Sequence, residues 1–299
     1  MAETRLYGGI ELGGTKTLVA VGDADGRILA RATLPTTTPN ALLPQIAAFF
    51  SDHTAGRDLA GLGVGAFGPI VIDPAADDYG HLLETNKPGW SGFDLVGALR
   101  GMGMAPITLV TDVAAAGVAE ARLGALRGVE LGIYLTVGTG IGGAVLHRGQ
   151  VLPALLHPEM GHLPIEAHPD DAAGSICRFH SNCAEGLAAG PAIMARFGAS
   201  LSDFAPGGPE HALIADYLGQ LCATLVLALS PQRIVIGGGV GKTPGLVDAV
   251  QAAMLRQLGG YAGRSAAYAG FLHAPALDQD AGIVGALCCG AHPNAASEA

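Results

Sequence analysis

Residues 8–29 read GGIELGGTKTLVAVGDADGRIL, and residues 132–152 read GIYLTVGTGIGGAVLHRGQVL. Both stretches have an apolar run of strand length, a glycine turn, a second apolar run and a second turn. This order predicts consecutive antiparallel strands joined by tight turns. Because the pattern recurs after about 125 residues, we interpret it as an internal duplication of one fold unit.

Strand and helix patterns surround both copies. Strands are predicted over residues 6–11, 17–21, 28–33, 62–67, 107–111, 133–137, 142–147 and 233–236, and helices over residues 40–55, 113–125 and 280–291. This alternation predicts an α/β protein whose two similar domains enclose a ligand-binding cleft. The first domain is expected to span residues 1–115, completed by a C-terminal helix within 280–299, and the second to span residues 116–279.

The composition indicates a folded protein without a polyanionic partner. Of 299 residues, 49% are hydrophobic and 14% are charged, and 16 Lys and Arg against 26 Asp and Glu give a net charge of −10. The acidic balance argues against nucleic acid or an anionic membrane as a partner. The 46 glycines are about twice the usual share, which predicts tight turns or close approaches of the backbone to a ligand.

The sequence also predicts a cytoplasmic protein without a membrane span. We find no apolar run that approaches the roughly 18–20 residues of a transmembrane helix. The first residues lack the apolar core of a signal peptide. With only five cysteines in a chain of this length, a disulfide framework is not expected.

Two glycine turns and a third glycine run are candidate phosphate loops. Consecutive backbone N–H groups in such loops can surround phosphate oxygens, and threonine hydroxyls or a lysine can add donors and charge. The alternative is a pair of ordinary hairpin turns. A P-loop is excluded at the third run, because the required first glycine would fall on Ile236. The candidate residues are Gly13, Gly14, Thr15, Lys16, Gly138, Thr139, Gly140, Gly237, Gly238 and Gly239.

Asp112 lies between a predicted strand and a predicted helix. A carboxylate in this partly dry position could accept the proton of a hydroxyl that attacks phosphorus. The alternative is that Asp112 only caps the helix that follows, since Asp is a favoured N-cap residue.

A Cys-x-x-His-x-x-Cys motif is the candidate metal site. Cys177, His180 and Cys183 form the motif, and His162 lies fifteen residues upstream. Four sulfur and nitrogen ligands suit a tetrahedral structural Zn²⁺ site. The spacing alone leaves the fourth ligand open, because His147, His157 and His168 are also near in sequence. The alternative is a set of unrelated polar loop residues.

Three polar residues near these motifs are candidate sugar ligands. Glu159 precedes His162 by three residues, and Glu185 follows Cys183 by two. Fixed carboxylates bind sugar hydroxyls well, because each accepts several hydrogen bonds. Asn86 is the third candidate. Trp90, the only tryptophan, could be either a core residue or a platform for a sugar ring.

Taken in order, these motifs resemble those of the ROK family of sugar kinases, and within it the zinc-containing fructokinases. IELGGTK and LTVGTGIGGAV resemble the two phosphate loops of the family, and IVIGGGV its adenosine loop. TDVAAAGVAE resembles the segment with the catalytic Asp, and GAFGPI and TNKPGW resemble sugar-side loops. HPEMGH followed by CRFHSNCAEGLAAGPA resembles the sugar and zinc signature, and DAGIVGA the C-terminal helix motif.

The resemblance implies an actin-like, RNase H-like fold with two domains and transfer of the γ-phosphoryl group of ATP to a hexose hydroxyl, with Mg²⁺. It implies that Asp112 is the general base and that the glycine loops bind ATP. His162 becomes the fourth zinc ligand beside Cys177, His180 and Cys183. The sugar ligands it implies are Asn86, Thr111, Asp112, Glu159, His162 and Glu185. A homodimer is expected.

This sequence departs from the family pattern at Ala114, where an Asn is usual, and at Asn86, where the fructokinase loop has Pro. The residue before the candidate base is Thr111, where glucokinases of the family have Asn. The resemblance to fructokinases makes fructose, phosphorylated at its 6-hydroxyl, the expected acceptor, with mannose, glucose or another hexose as alternatives. A non-catalytic sugar-responsive regulator is the alternative from a different functional class.

Overall fold

The structure is a computed structural model that describes residues 5–104, 106–154, 156–261 and 265–293. Up to residue 123 its elements are β1 (Tyr7–Leu12), β2 (Lys16–Gly22), β3 (Ile28–Pro35), α1 (Pro39–Thr54), β4 (Gly61–Ala66), α2 (Leu95–Gly101), β5 (Ile107–Thr111) and α3 (Asp112–Leu123). They continue with β6 (Leu131–Val137), β7 (Ile141–His147), β8 (Gln150–Val151), α4 (Ala184–Ala188), α5 (Gly190–Phe197), α6 (Pro209–Leu229), β9 (Arg233–Gly237), α7 (Gly238–Gly241), α8 (Leu246–Leu258), β10 (Leu272–His273) and α9 (Ala281–Ala291).

The described residues divide into two compact units. The first comprises those within 1–124, 149–157 and 277–299, and the second those within 125–148 and 158–276. The predicted C-terminal helix begins at Ala281, and residues 294–299 of its predicted range lie outside the described residues.

Both units contain a mixed sheet, which confirms the predicted α/β fold. In the first, the strand order is β3-β2-β1-β4-β5. β1, β2 and β3 form the predicted antiparallel meander, while β4 is parallel to both β1 and β5. In the second, the strands run β10-β9-β6-β7. The pair β6 and β7 is antiparallel, and β9 is parallel to both β6 and β10. The duplicated sequence stretches thus form the corresponding hairpins β1–β2 and β6–β7.

Trp90 is a core residue of the first unit. It is 1% exposed, and its ring lies edge-on to those of Phe67 and Phe93. The indole Nε1 donates a hydrogen bond of 2.7 Å to the carbonyl oxygen of Thr37. A buried indole whose N–H is satisfied is a stable core arrangement. The structure therefore favours the core interpretation of Trp90 over a sugar platform.

Alternate glycines on β4 allow a helix to pack directly on its backbone. Residues two apart in a strand face the same side of the sheet, and the sequence GLGVGA places glycine at every second position. A Cβ on Gly61 or Gly63 would collide with carbonyl oxygens of α9, and one on Gly65 would lie 2.9 Å from the Cβ of Ala115 in α3. Part of the glycine content thus permits close helix packing rather than approach to a ligand.

Helix α6 is a core helix of the second unit. It has 21 residues, and its most apolar 18-residue window has a mean hydropathy of 1.8, so its length and composition are those of a membrane-spanning helix. However, 56% of the apolar window is buried inside the structure, and Ile214, Leu218 and Leu221 contribute to the core. The prediction that no apolar run approaches the length of a span is therefore wrong for this segment. Burial in the core explains its apolar character.

Candidate active site

Asp112 lies at the carboxyl end of β5 and is the first residue of α3. The helix cap is the preceding residue, Thr111, whose Oγ1 accepts the N–H of Ala114 at 3.1 Å. The Asp112 carboxylate accepts the N–H of the adjacent Val113 at 2.8 Å. The interpretation of Asp112 as the N-cap is therefore wrong, and its carboxylate is not needed to cap the helix.

Burial raises the pKa of Asp112 to about 6, although its hydrogen bond from Val113 and the neighbouring His157 oppose the rise. Glu11, near the end of β1, is close enough to interact with it. The pKa of Glu11 is raised to about 7, first by burial and then by the negative charge of Asp112, while Lys16 opposes the shift. A carboxylate with a pKa near neutrality is suited to take up a proton in a reaction at physiological pH.

The first glycine turn joins β1 to β2 and has a second lysine beside it. The N–H of Gly13 donates to the carbonyl of Lys16 at 3.1 Å, which closes the hairpin. Thr15 and Lys16 are exposed. A Cβ on Gly14 would lie 3.3 Å from Nζ of Lys87, so this ammonium group lies over the turn. Lys87 was not predicted to belong to this turn, because only the fold brings it there.

The second and third glycine loops lie side by side within the second unit. A Cβ on Gly138 would be 3.8 Å from the backbone nitrogen of Gly239. Gly238 has φ +84, and a Cβ there would collide with the backbone of Val137. Gly237 is buried at the end of β9, so it faces the core rather than open space. The two loops were predicted separately, and the structure brings them together.

A cavity of about 570 Å³ opens beside these two loops. Of the predicted ATP ligands, Gly138, Thr139 and Gly239 line it. The lining residues that sequence reasoning missed are mainly small, apolar or hydroxyl-bearing: Gly190, Pro191, Ile193, Met194, Ser200, Leu201, Ser202, Val240 and Thr243. An apolar slot beside exposed glycine N–H groups can hold a nucleoside together with its phosphates.

The four predicted metal ligands come together. His162, Cys177, His180 and Cys183 place one ligand atom each within 4.8 Å of one another. Cys177 Sγ lies 3.8 Å from Nδ1 of His162 and 3.7 Å from Nδ1 of His180. Ligands around a tetrahedral Zn²⁺ with ordinary bond lengths are about 3.3–3.8 Å apart. The donor set and its spacing therefore fit zinc. Of the four histidines that could have been the fourth ligand, the structure places His162 in the cluster.

The predicted sugar ligands fall in both units. Asn86 is exposed and Thr111 is 3% exposed, and both belong to the first unit. Glu159, His162 and Glu185 belong to the second unit. His162 Nε2 lies 3.9 Å from Oε1 of Glu185, while its Nδ1 faces the metal cluster. The metal cluster and one predicted sugar carboxylate are therefore neighbours.

Two further residues near Asp112, Glu11 and His157, were not predicted to belong to its surroundings, and His157 was considered only as a possible metal ligand. Glu11 was predicted only as part of a strand, although an acid two residues before the glycine turn is a usable signal. One oxygen of its carboxylate, Oε2, is buried without a hydrogen-bond partner in the part of the chain that the structure describes. His157 packs against Gly68. A Cβ on this glycine would lie 2.9 Å from Nε2 of His157. Its position next to Gly68 arises from long-range contacts that local pattern does not show.

The comparisons with known proteins agree on one family. A model of the ROK family matches residues 7–290. The chain is 38% identical to a fructokinase of Zymomonas mobilis over 291 residues, 95% of this chain and 96% of the relative. It is similar to the crystal structure of a ROK hexokinase from Thermus thermophilus, with a TM-score of 0.78 and 31% identity over 95% of this chain and 97% of that one. A ROK-family glucokinase from Streptomyces griseus, solved with glucose and AMPPNP, gives a TM-score of 0.75 and 25% identity over 95% and 99% of the chains.

The chain therefore belongs to the ROK family, as its motifs predicted. The fold is the actin-like, RNase H-like α/β fold of the family's kinases. Its similarity to these kinases identifies the protein as a sugar kinase.

Proposed function

We propose that this sugar kinase transfers the γ-phosphoryl group of ATP to the 6-hydroxyl of fructose. The geometry that carries the proposal is the half-buried carboxylate of Asp112 at the carboxyl end of β5, free of a capping role. Fructose as the acceptor is supported by the fructokinase relatives of 34–38% identity. Mannose, glucose and other hexoses are the competing acceptors.

In this mechanism Asp112 accepts the proton of the attacking hydroxyl. The hydroxyl oxygen forms its bond to the γ-phosphorus as the bond from phosphorus to the bridging oxygen breaks, and ADP leaves. The proton moves to an oxygen of the Asp112 carboxylate. A general base must lie within about 2.6–3.2 Å of the oxygen it deprotonates, so the sugar ligands must hold the acceptor hydroxyl beside Asp112.

The nucleotide is assigned to the glycine loops. The cavity beside Gly138, Thr139 and Gly239 would take the nucleoside, and backbone N–H groups would bind phosphate oxygens. Lys16 and Lys87 would add positive charge at the first turn. Mg²⁺ would neutralise phosphate charge during transfer. The buried Oε2 of Glu11 has no hydrogen-bond partner among the described residues, and such an oxygen fits a site that holds Mg²⁺ directly or through water.

The sugar is assigned to the predicted polar residues. Asn86, Glu159, His162 and Glu185 offer side-chain groups that can accept or donate hydrogen bonds to hydroxyls. Thr111 already uses its hydroxyl to cap α3, so it would act mainly by positioning Asp112. Because the site consists of hydroxyl-binding groups, it would reject sugars that lack the matching hydroxyls.

The metal cluster is assigned to one structural Zn²⁺ bound by His162, Cys177, His180 and Cys183. A full set of four protein ligands leaves no open position for a substrate, which is the pattern of structural sites. When bound, the ion would supply a cross-link between the segment of His162 and the loop that contains the three other ligands.

We also propose that the protein acts in the cytoplasm as a homodimer, with a hexose and ATP as its partners and neither nucleic acid nor a membrane. These proposals rest on the acidic composition and on the family resemblance. Equilibrium sedimentation would test the dimer directly.

The acceptor is tested by measuring ADP release over a panel of hexoses. We expect kcat/KM for fructose to exceed that for mannose and glucose by at least about tenfold. A higher value for another hexose would replace fructose as the assigned acceptor. ADP release that does not depend on any sugar, or none at all, would overturn the kinase proposal.

The activity is expected to fall as the pH drops below about 6. Asp112 must be ionised to accept a proton, and its pKa is raised to about 6 by burial. Below that pH, kcat/KM should decrease about tenfold per pH unit, because the fraction of ionised base does. The decrease should be measured with the sugar and MgATP well below saturation, together with a stability check at each pH. A profile that stays flat from pH 7 to pH 5 would contradict the assignment of Asp112.

A further inference from the structure

Helix α4 lies directly between the metal cluster and the second glycine turn. It starts after Cys183, whose Sγ accepts the N–H of Gly186 at 3.4 Å. The N–H of Ile176 donates to the carbonyl of Gly186 at 2.9 Å, and a Cβ on Gly186 would lie 2.8 Å from the Cβ of Cys177. Two of the four metal ligands are therefore packed against this helix.

Helix α4 and the first residue of α5 are hydrogen-bonded to the two ends of the turn. Oε2 of Glu185 accepts the N–H of Ile141 at 2.8 Å, just after the turn. The N–H of Gly190, which follows the helix, donates to the carbonyl of Gly138 at 2.7 Å, at the start of the turn. The turn closes on itself through the N–H of Gly138 and the carbonyl of Gly140 at 2.9 Å.

We propose that the metal cluster positions the second phosphate loop through α4, with Glu185 as the positioning residue. The proposal rests on the proposed binding of ATP phosphates by Gly138–Gly140. According to this proposal, the metal site affects binding of the nucleotide as well as the sugar-binding side chains next to it.

The physical reason is that a glycine turn has little conformational preference of its own. Glycine populates many backbone conformations, so the geometry of the N–H groups that follow Gly138 in the turn, at positions 139 and 140, depends on their surroundings. Backbone groups bind an anion tightly only when they are already arranged for it. Metal bound to His162 through Nδ1 would also fix the ring whose Nε2 faces Glu185 at 3.9 Å. The turn is then fully supported only when the bound metal fixes both α4 and the ring of His162.

The first test compares zinc-loaded and chelated protein, without sugar, by hydrogen exchange and by calorimetric titration with AMPPNP. Chelation should speed exchange in a peptide over residues 136–143, and at Gly190, by at least about fivefold. It should weaken AMPPNP binding by about tenfold. Peptides over residues 107–111 and 233–237 should exchange as before.

A second variant keeps the proposal testable if chelation unfolds the second unit, which rapid exchange over residues 233–237 would reveal. Glu185→Leu in zinc-loaded protein removes the acceptor for Ile141 but leaves all four metal ligands. It should retain one zinc per chain, exchange faster over residues 136–143 and bind AMPPNP about tenfold more weakly. Glu185→Gln keeps an acceptor oxygen and should bind within about threefold of wild type. The control is Glu166→Leu, an exposed acid outside these contacts, which should leave binding unchanged.

The outcomes separate this proposal from the proposed function. Unchanged exchange over residues 136–143 and unchanged AMPPNP affinity in zinc-loaded Glu185→Leu would overturn the positioning role, even in an active kinase. If the wild-type protein does not bind AMPPNP, the assignment of the nucleotide fails, and the exchange measurement alone then decides whether α4 supports the turn. Equal losses in Glu185→Gln and Glu185→Leu would also count against it, because they would point to the charge rather than to the hydrogen bond.

Discussion

Asp112→Asn is expected to lower kcat by about 10²–10⁴-fold, the usual contribution of general-base assistance. The amide has nearly the shape of the carboxylate but cannot accept the proton of the attacking hydroxyl. Binding of ATP should change little, because the nucleotide is assigned to the glycine loops. Steady-state kinetics with saturating MgATP and sugar would measure the loss, and titration with AMPPNP would show whether the nucleotide site is intact.

The same substitution should not destabilise the fold. The pKa of Asp112 is raised from 3.8 to about 6 in the folded state, so the folded protein prefers the protonated acid. Its contribution to stability is complete below pH 3.8 and is lost as the pH rises through about 6, which makes the ionised group unfavourable at pH 7. The neutral Asn variant should therefore be as stable as wild type or more stable, by up to about 3 kcal/mol.

A matched control is Asp94→Asn, which makes the same change at the N-cap of α2, where the carboxylate accepts the N–H of Gly97. Asn caps about as well as Asp, so kcat and stability should both be retained. If folded Asp112→Asn had kcat close to that of wild type, Asp112 would not be the base.

Cys177→Ser is expected to reduce the zinc content from about one ion per chain to nearly none. Serine is a poor ligand for zinc compared with a thiolate, and a three-ligand site binds far more weakly than a closed one. Because a bound metal stabilises only the folded state, the loop around residues 176–183 should lose protection, and the free energy of unfolding should fall by several kcal/mol. Elemental analysis and thermal unfolding would measure the two losses.

The control for this substitution is Cys222→Ala. Cys222 is fully buried in α6, and burial raises the pKa of its thiol to about 12, so it remains a neutral core side chain. Its removal should cost some stability, because it leaves a small cavity, but the zinc content should stay at about one. Full zinc content in Cys177→Ser would refute the assigned ligand set, as would its loss in Cys222→Ala.

Patterns within a few residues of each other were enough to predict much of this fold. The repeated order of strands and glycine turns predicted both hairpins, because strand periodicity and turn residues are local properties. The Cys-x-x-His-x-x-Cys spacing predicted a cluster for the same reason, since one loop contains three of its four ligands. The place of His162 in the cluster depends on a longer-range contact, the pairing of its segment with that of Cys183. There the N–H of Ala184 donates to the carbonyl of Leu163 at 3.1 Å.

Other features depend on distant parts of the chain and could not be read from local patterns. Helix α6 lacks a clear polar face, because most of it is buried, and it was missed. Thr111 rather than Asp112 caps α3, a choice between adjacent residues that backbone geometry decides. Lys87 reaches Gly14 across seventy-three positions of sequence. The sugar and ATP assignments remain predictions that the proposed experiments test.

The packing of α9 on β4 also constrains when the first unit can be completed. β1 and β4 belong to the first 66 residues, whereas the helix that covers their glycines spans Ala281–Ala291. Domains often fold in order as the ribosome releases them, but β1 and β4 lack the cover of α9 until residues 281–291 have been made. During synthesis the early strands must therefore remain incomplete while the second unit emerges. A ribosome that stops before Ala281 would leave an apolar, glycine-lined surface open to aggregation.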